Sequence, residues 1–154
     1  MQHTYTSHVT WHSASGTTDY RAYSRDHKLC CAQKPVLDVS ADPAFLGSAE
    51  RHNPEDFFLA SLSSCHMLWY LHLCAESGVV VLSYDDHPTG TLLLEPGGAG
   101  EFTTVRLAPR VEIRADSDAS RAFELHERAH GYCFIARSVR CAIELKPEIV
   151  HADG

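Results

Sequence analysis

Asn53-Pro54-Glu55-Asp56-Phe57-Phe58-Leu59-Ala60-Ser61-Leu62-Ser63-Ser64-Cys65-His66 is the stretch on which the fold turns. Asn53 is a good N-cap, Pro54 suits the first helical position, and Glu55 and Asp56 face the positive end of the helix dipole. The next strong stop is Gly78. About 24 residues lie between these signals, a helix of roughly 36 Å at 1.5 Å per residue. It is apolar on most sides, so it is expected to be buried at a core or an interface. Ala60, Ser61, Ser63 and Ser64 leave room for a close neighbour just before Cys65.

Outward from this helix the pattern becomes β. Residues 5–12, 20–24 and 29–39 read as an N-terminal antiparallel meander. Residues 79–84, 91–94 and 102–114 read as a second meander, broken by Asp86-His87-Pro88-Thr89-Gly90 and Pro96-Gly97-Gly98-Ala99-Gly100. A shorter helix is expected over 119–130, capped by Ser117 or Asp118 and broken by Gly131, with a closing strand at 140–146. No repeat or linker interrupts the order β, long helix, β, helix, β. The expectation is one α+β domain over residues 1–154.

Bulk properties narrow the function. The chain has 154 residues, 44% hydrophobic, with a net charge of -7. Nucleic acid and anionic membrane surfaces demand clustered Lys and Arg, so neither is an expected partner. The apolar run at 59–73 contains Ser, Cys and His and reads as too short and polar for a bilayer span. Residues 1–6 have neither a basic start nor an apolar run, so a cytoplasmic location is expected. There, the six cysteines (Cys30, Cys31, Cys65, Cys74, Cys133 and Cys141) should be mostly thiols. With no C-x-x-C pair, any redox couple has to be assembled by the fold.

The 53–66 segment resembles the opening of the central helix in the OsmC/Ohr family, where Asn-Pro-Glu is followed by a reactive cysteine ten residues after the Glu. His130-Gly131-Tyr132-Cys133 resembles the family's second-cysteine region, and the element order and the 68-residue gap between the cysteines agree. The resemblance implies an intertwined α+β homodimer that reduces organic hydroperoxides. Cys65 is then the peroxidatic thiol and Cys133 the resolving one. Glu55 and an Arg hold and activate Cys65, a thiol or dithiol reductant restores the enzyme, and no cofactor or metal is involved. The Ohr branch carries its Arg in a Gly-Gly-Arg turn, but the aligned Gly16-Thr17-Thr18-Asp19 has none. Arg51 is ranked first as its replacement, ahead of Arg25 and Arg21. Phe57, Phe58, Leu62 and Phe134 are the expected apolar substrate contacts. Glu55 lies roughly 15 Å from Cys65 along one helix, which calls for a kink or a second subunit.

Two other readings compete. His126-Glu127-Arg128-Ala129-His130 matches the H-E-x-x-H zinc-hydrolase pattern with both His on one helix face. Eleven His and ten Glu make such a match common by composition, and no third ligand is evident. The fold could also serve as a binding dimer without turnover. In isolation each cysteine reads as a small buried hydrophobe, and Trp69 and Tyr70 read as core.

Overall fold

The computed structural model describes residues 1–153. The chain forms two compact units whose boundary, between Phe58 and Leu59, falls inside the long helix.

In the first unit, β1 (His8–Thr10), β2 (His27–Cys30) and β3 (Leu37–Val39) form the expected antiparallel sheet in the order β1-β2-β3. Two of its boundaries differ from expectation. Residues 20–24 are turn, not strand. The Asp19 carboxylate accepts from Arg21 N–H, and the Arg25 guanidinium donates to the Tyr20 and Tyr23 carbonyls that a strand partner would need. The run 29–39 divides into two strands because Ala32 adopts φ 52° and the Lys34 N–H closes a turn onto the Cys31 carbonyl.

Helix α1 (Pro54–Glu76) starts and stops as its end signals predict. The Asn53 side chain accepts from Asp56 N–H at 2.8 Å while the Asp56 carboxylate accepts from Asn53 N–H at 3.1 Å, a reciprocal cap. At the other end Gly78 takes φ 76°. Val79 N–H then reaches the Cys74 carbonyl, and Gly78 N–H the Ala75 carbonyl, closing the last turn. At 23 residues α1 has the length and composition of a bilayer span, longer than the 59–73 run by itself. Leu62, His66, Tyr70, Leu73 and Cys74 are nevertheless buried within the protein.

The second unit corrects the expected second meander. β4 (Val81–Asp85), β5 (Thr89–Leu94), β6 (Gly100–Leu107), β7 (Arg110–Ile113), β8 (Ala142–Leu145) and β9 (Glu148–His151) form two sheets, ordered β4-β7-β9 and β5-β6-β8. Within them β4·β7 and β5·β6 are antiparallel, whereas β6·β8 and β7·β9 are parallel. Helix α2 (Ala119–Tyr132) supplies the crossover that parallel pairing requires. The expected strand over 102–114 breaks at Ala108-Pro109, and the closing segment breaks at Lys146-Pro147. Proline lacks the N–H to continue a ladder, so each break passes the chain from one sheet to the other.

Asp118, not Ser117, caps α2 by accepting from Arg121 N–H at 3.0 Å. Gly131 does not end α2, because it stays out of the left-handed region; the helix stops where Cys133 turns extended at ψ 109°. The core joins Tyr70, Leu73 and Cys74 of α1 to Val111 and Ile113 of β7 and to Ala122, Leu125 and Ala129 on one stripe of α2. Truncating Leu125 to Ala in such a setting costs about 2–5 kcal/mol.

Candidate active site

α1 and α2 bring two thiols together. Cys65 lies midway along α1 and is half-buried; Cys133 follows the last residue of α2 and is 1% exposed. The Cys65 thiol lies near enough to Cys133 to influence its titration. Cys133 is fixed by its own N–H, which donates to the Ala129 and His130 carbonyls, and by Ala136 N–H, which donates to its sulfur at 3.4 Å. Burial, reinforced by the neighbouring Cys65, pushes the Cys133 thiol up to about 11. At neutral pH Cys133 is therefore a protonated thiol. Cys65 is the more accessible of the two.

Next to Cys65 in sequence is a feature that sequence reasoning missed. His66 and His126, 1% and 2% exposed, bridge α1 and α2 with His66 Nε2 at 3.0 Å from His126 Nδ1. His126 also stacks on Tyr70, with ring centroids 3.8 Å apart. Burial, with His130 nearby, holds His66 down at about 4. Burial and the His66 ring hold His126 at about 3. Both imidazoles are thus neutral at physiological pH. Tyr84 and the Cys74 thiol border the same cluster, and burial raises the pKa of both. The recoverable signal was periodicity. His66, Tyr70 and Leu73 recur at helical spacing on one face of α1, and His126 continues the stripe of Ala122, Leu125 and Ala129.

Aromatic rings border the thiols. Trp69, one turn after Cys65, stacks on Tyr132 at 5.0 Å and meets the edge of Phe134 at 5.5 Å. Phe134 is 66% exposed, directly after Cys133. Leu62, expected as a substrate contact, is instead 1% exposed, so its side chain packs in the interior. Phe57 and Phe58 belong to the first unit, where Phe57 lies against the His52 ring.

Glu55, Arg51 and Arg25 also belong to the first unit. One Glu55 carboxylate oxygen is buried without a hydrogen-bond partner. Arg51 lies between Asp26 and Asp38, each at 3.3 Å. Arg25 stacks on Tyr23, its guanidinium carbon 3.7 Å from the ring centroid. Each guanidinium thus has local partners.

The H-E-x-x-H pair is placed differently from a metal centre. His126 turns Nδ1 to His66, and among the described residues no three His, Cys, Asp or Glu side chains are grouped so as to hold a metal ion. The six cysteines are free.

Comparison with known proteins defines the family and the fold. The OsmC-like protein family matches residues 47–148, and the chain belongs to that family. An OsmC-like protein of unknown function from Vibrio cholerae is 31% identical, with a TM-score of 0.84 over 97% of this chain and 100% of that one. An organic hydroperoxide resistance protein from Elizabethkingia anophelis is 18% identical, with a TM-score of 0.70 over 99% and 100%. The corresponding figures for one from Bacillus subtilis are 19%, 0.60, and 95% and 98%. At those lower identities the likeness concerns the fold. No curated protein sequence matches this chain.

Proposed function

We propose that this OsmC-family chain is a cytoplasmic, homodimeric thiol peroxidase that reduces organic hydroperoxides, and the juxtaposition of Cys65 on α1 with Cys133 at the end of α2 is the observation that carries the reading. The Cys65 thiolate attacks one peroxide oxygen. The O–O bond breaks, the alkoxide takes a proton and leaves as alcohol, and Cys65 becomes a sulfenic acid. The Cys133 sulfur then displaces the hydroxyl as water, forming the Cys65–Cys133 disulfide. Two equivalents of a thiol, or one dithiol, reduce it and are themselves oxidised.

With both thiols neighbours in one chain the second step is intramolecular, which favours disulfide over further oxidation of the sulfenic acid. Phe134 and the neighbouring Trp69 and Tyr132 supply apolar surface beside the sulfurs, which suits an alkyl or aryl hydroperoxide better than hydrogen peroxide. Phe57 and Phe58 are the further candidates. The partnerless buried oxygen of Glu55 is suited to a guanidinium, with Arg51 ranked before Arg25. Because about 15 Å of helix separates Glu55 from Cys65 in one chain, the dimer is assigned the task of bringing Glu55 of one subunit toward Cys65 of the other.

The test is reaction of the fully reduced, metal-free protein with one equivalent of cumene hydroperoxide, followed by peroxide assay and mass spectrometry. Peroxide loss with a Cys65–Cys133 disulfide is the expected result. Surviving peroxide with both thiols reduced sinks the reading.

A further inference from the structure

The mechanism leaves one buried group unused. His66 and His126 form an imidazole pair in the interior, directly beside the residue that attacks and on the helix that ends at the residue that resolves. A 3.0 Å separation between ring nitrogens requires one to carry a hydrogen and the other a lone pair. If both nitrogens carried hydrogen the two would clash, and if neither did their lone pairs would repel. The pair is a single, directional N–H···N bond between α1 and α2. The outward nitrogens, His66 Nδ1 and His126 Nε2, are buried and have no protein hydrogen-bond partner. Burying two imidazoles in this way costs stability that an apolar pair would not, since unsatisfied buried polar atoms each carry a desolvation penalty.

What the pair provides is registry. Apolar contacts between two helices tolerate sliding and rotation, whereas a hydrogen bond has a fixed length and direction. Cys133 is seven residues beyond His126, about 10 Å along the helix direction. Cys65 immediately precedes His66. A small rotation of α1 about its axis would carry Cys65 away from Cys133 while leaving much of the apolar packing in place.

We propose that the His66–His126 hydrogen bond is a positioning device that holds α1 and α2 in the register that keeps Cys65 beside Cys133. It rests on the reading that these two thiols form a disulfide, but not on the identity of the oxidant. Neither imidazole touches the reacting atoms; both act through the helices that carry the sulfurs.

Amide side chains separate this role from mere space filling. Glutamine places its amide nitrogen near the position of imidazole Nε2, and asparagine near that of Nδ1. His66→Gln and His126→Asn therefore preserve the bond, whereas His66→Asn and His126→Gln bury an amide of the same chemical class that cannot reach across. The readout is the equilibrium of the Cys65–Cys133 disulfide with glutathione, in which disulfide plus two glutathione thiols gives the dithiol plus oxidised glutathione. This yields the effective concentration of one thiol at the other without any hydroperoxide. His66→Asn and His126→Gln are expected to lower it about tenfold or more, and His66→Gln and His126→Asn to stay within about threefold of wild type. Equal effects within each pair of amides, or no effect from any, overturn the proposal.

The wild-type protein gives a second arm if a variant does not fold. Imidazole nitrogen NMR should show scalar coupling across the N–H···N bond, lost when the tautomers are disrupted; two uncoupled rings overturn the proposal equally. Hydroperoxide left unconsumed by a wild-type protein with an unaltered glutathione equilibrium would overturn the peroxidase reading and leave this one standing.

Discussion

Among the side chains that join α1 to the α2 region, the sulfur pair and the imidazole pair differ in what surrounds them. The sulfur pair is open on one side: Cys65 is half-buried, and Phe134 and Tyr132 beside it are largely exposed. The imidazole pair is closed, with both rings almost completely removed from solvent and one of them stacked on Tyr70. The open pair is accessible to a substrate, as the proposed chemistry requires; the closed pair is shielded from one, as the proposed positioning role requires. Chemistry and positioning therefore sit next to each other in sequence, at Cys65 and His66, while facing opposite environments.

The comparison breaks most sharply at Cys65. In Cys65→Ser, hydroperoxide consumption should fall about 10³-fold or more with the fold unaltered, because the nucleophile itself is gone. Stopped-flow peroxide assays with circular dichroism as the control read this directly. Retained turnover would transfer the chemistry to another thiol.

The closed pair should show itself through acid instead. Folded pKa values of about 4 for His66 and about 3 for His126 lie below the unfolded value near 6.5. The folded state therefore binds fewer protons than the unfolded one, so the stability these rings permit is fully present above pH 6.5 and is lost as pH falls toward 4. The loss is roughly 3 kcal/mol per ring at pH 4, before any coupling between them. Urea melts at pH 7 and pH 4 test this. The pH dependence should shrink in a His66→Gln, His126→Asn double variant, which cannot take up those protons. An undiminished slope would assign acid sensitivity to the carboxylates.

A Cys133→Ser variant sharpens the division of labour within the open pair. Cys65 should still be oxidised by hydroperoxide within about threefold of the wild-type rate, as measured by trapping its sulfenic acid with dimedone. Steady-state turnover with a dithiol should fall by about one to two orders of magnitude, because resolution is no longer intramolecular. Loss of the first oxidation as well would show that Cys133 assists the attack.

The smallest effect lies away from both pairs. Asp118→Ala removes the acceptor for Arg121 N–H at the start of α2 and should cost about 1 kcal/mol in thermal or urea melts, with thiol chemistry unaltered. A change in disulfide formation there would mean that the far end of α2 also sets the sulfur geometry.

Much of this was legible in the chain. The ends of α1 could be read because capping is local: Asn53, Asp56 and Gly78 act on backbone groups within a turn of themselves. Cys65 and Cys133 could be named through family resemblance, although spacing by itself did not join them. Strand pairing was less legible. Residues 102–114 look like one strand until Pro109 sends each half to a different sheet, and the parallel partners β8 and β9 come from beyond α2. Residues 20–24 have strand composition, but the Asp19 cap and the Arg25 contacts to two carbonyls favour a turn. Gly131 signals a helix stop, yet it stays out of the left-handed conformation that such a stop uses.

The sequence by itself determined the α+β class, the long central helix and the cysteines worth testing, because those depend on side-chain period, local caps and motif. Only the tertiary structure decided that Cys133 is a buried, protonated neighbour of Cys65, that Leu62 is interior, and that His126 faces His66. Each of these depends on what lies across the gap between two helices, where burial and distance set the charge state, and no spacing along the chain encodes that separation.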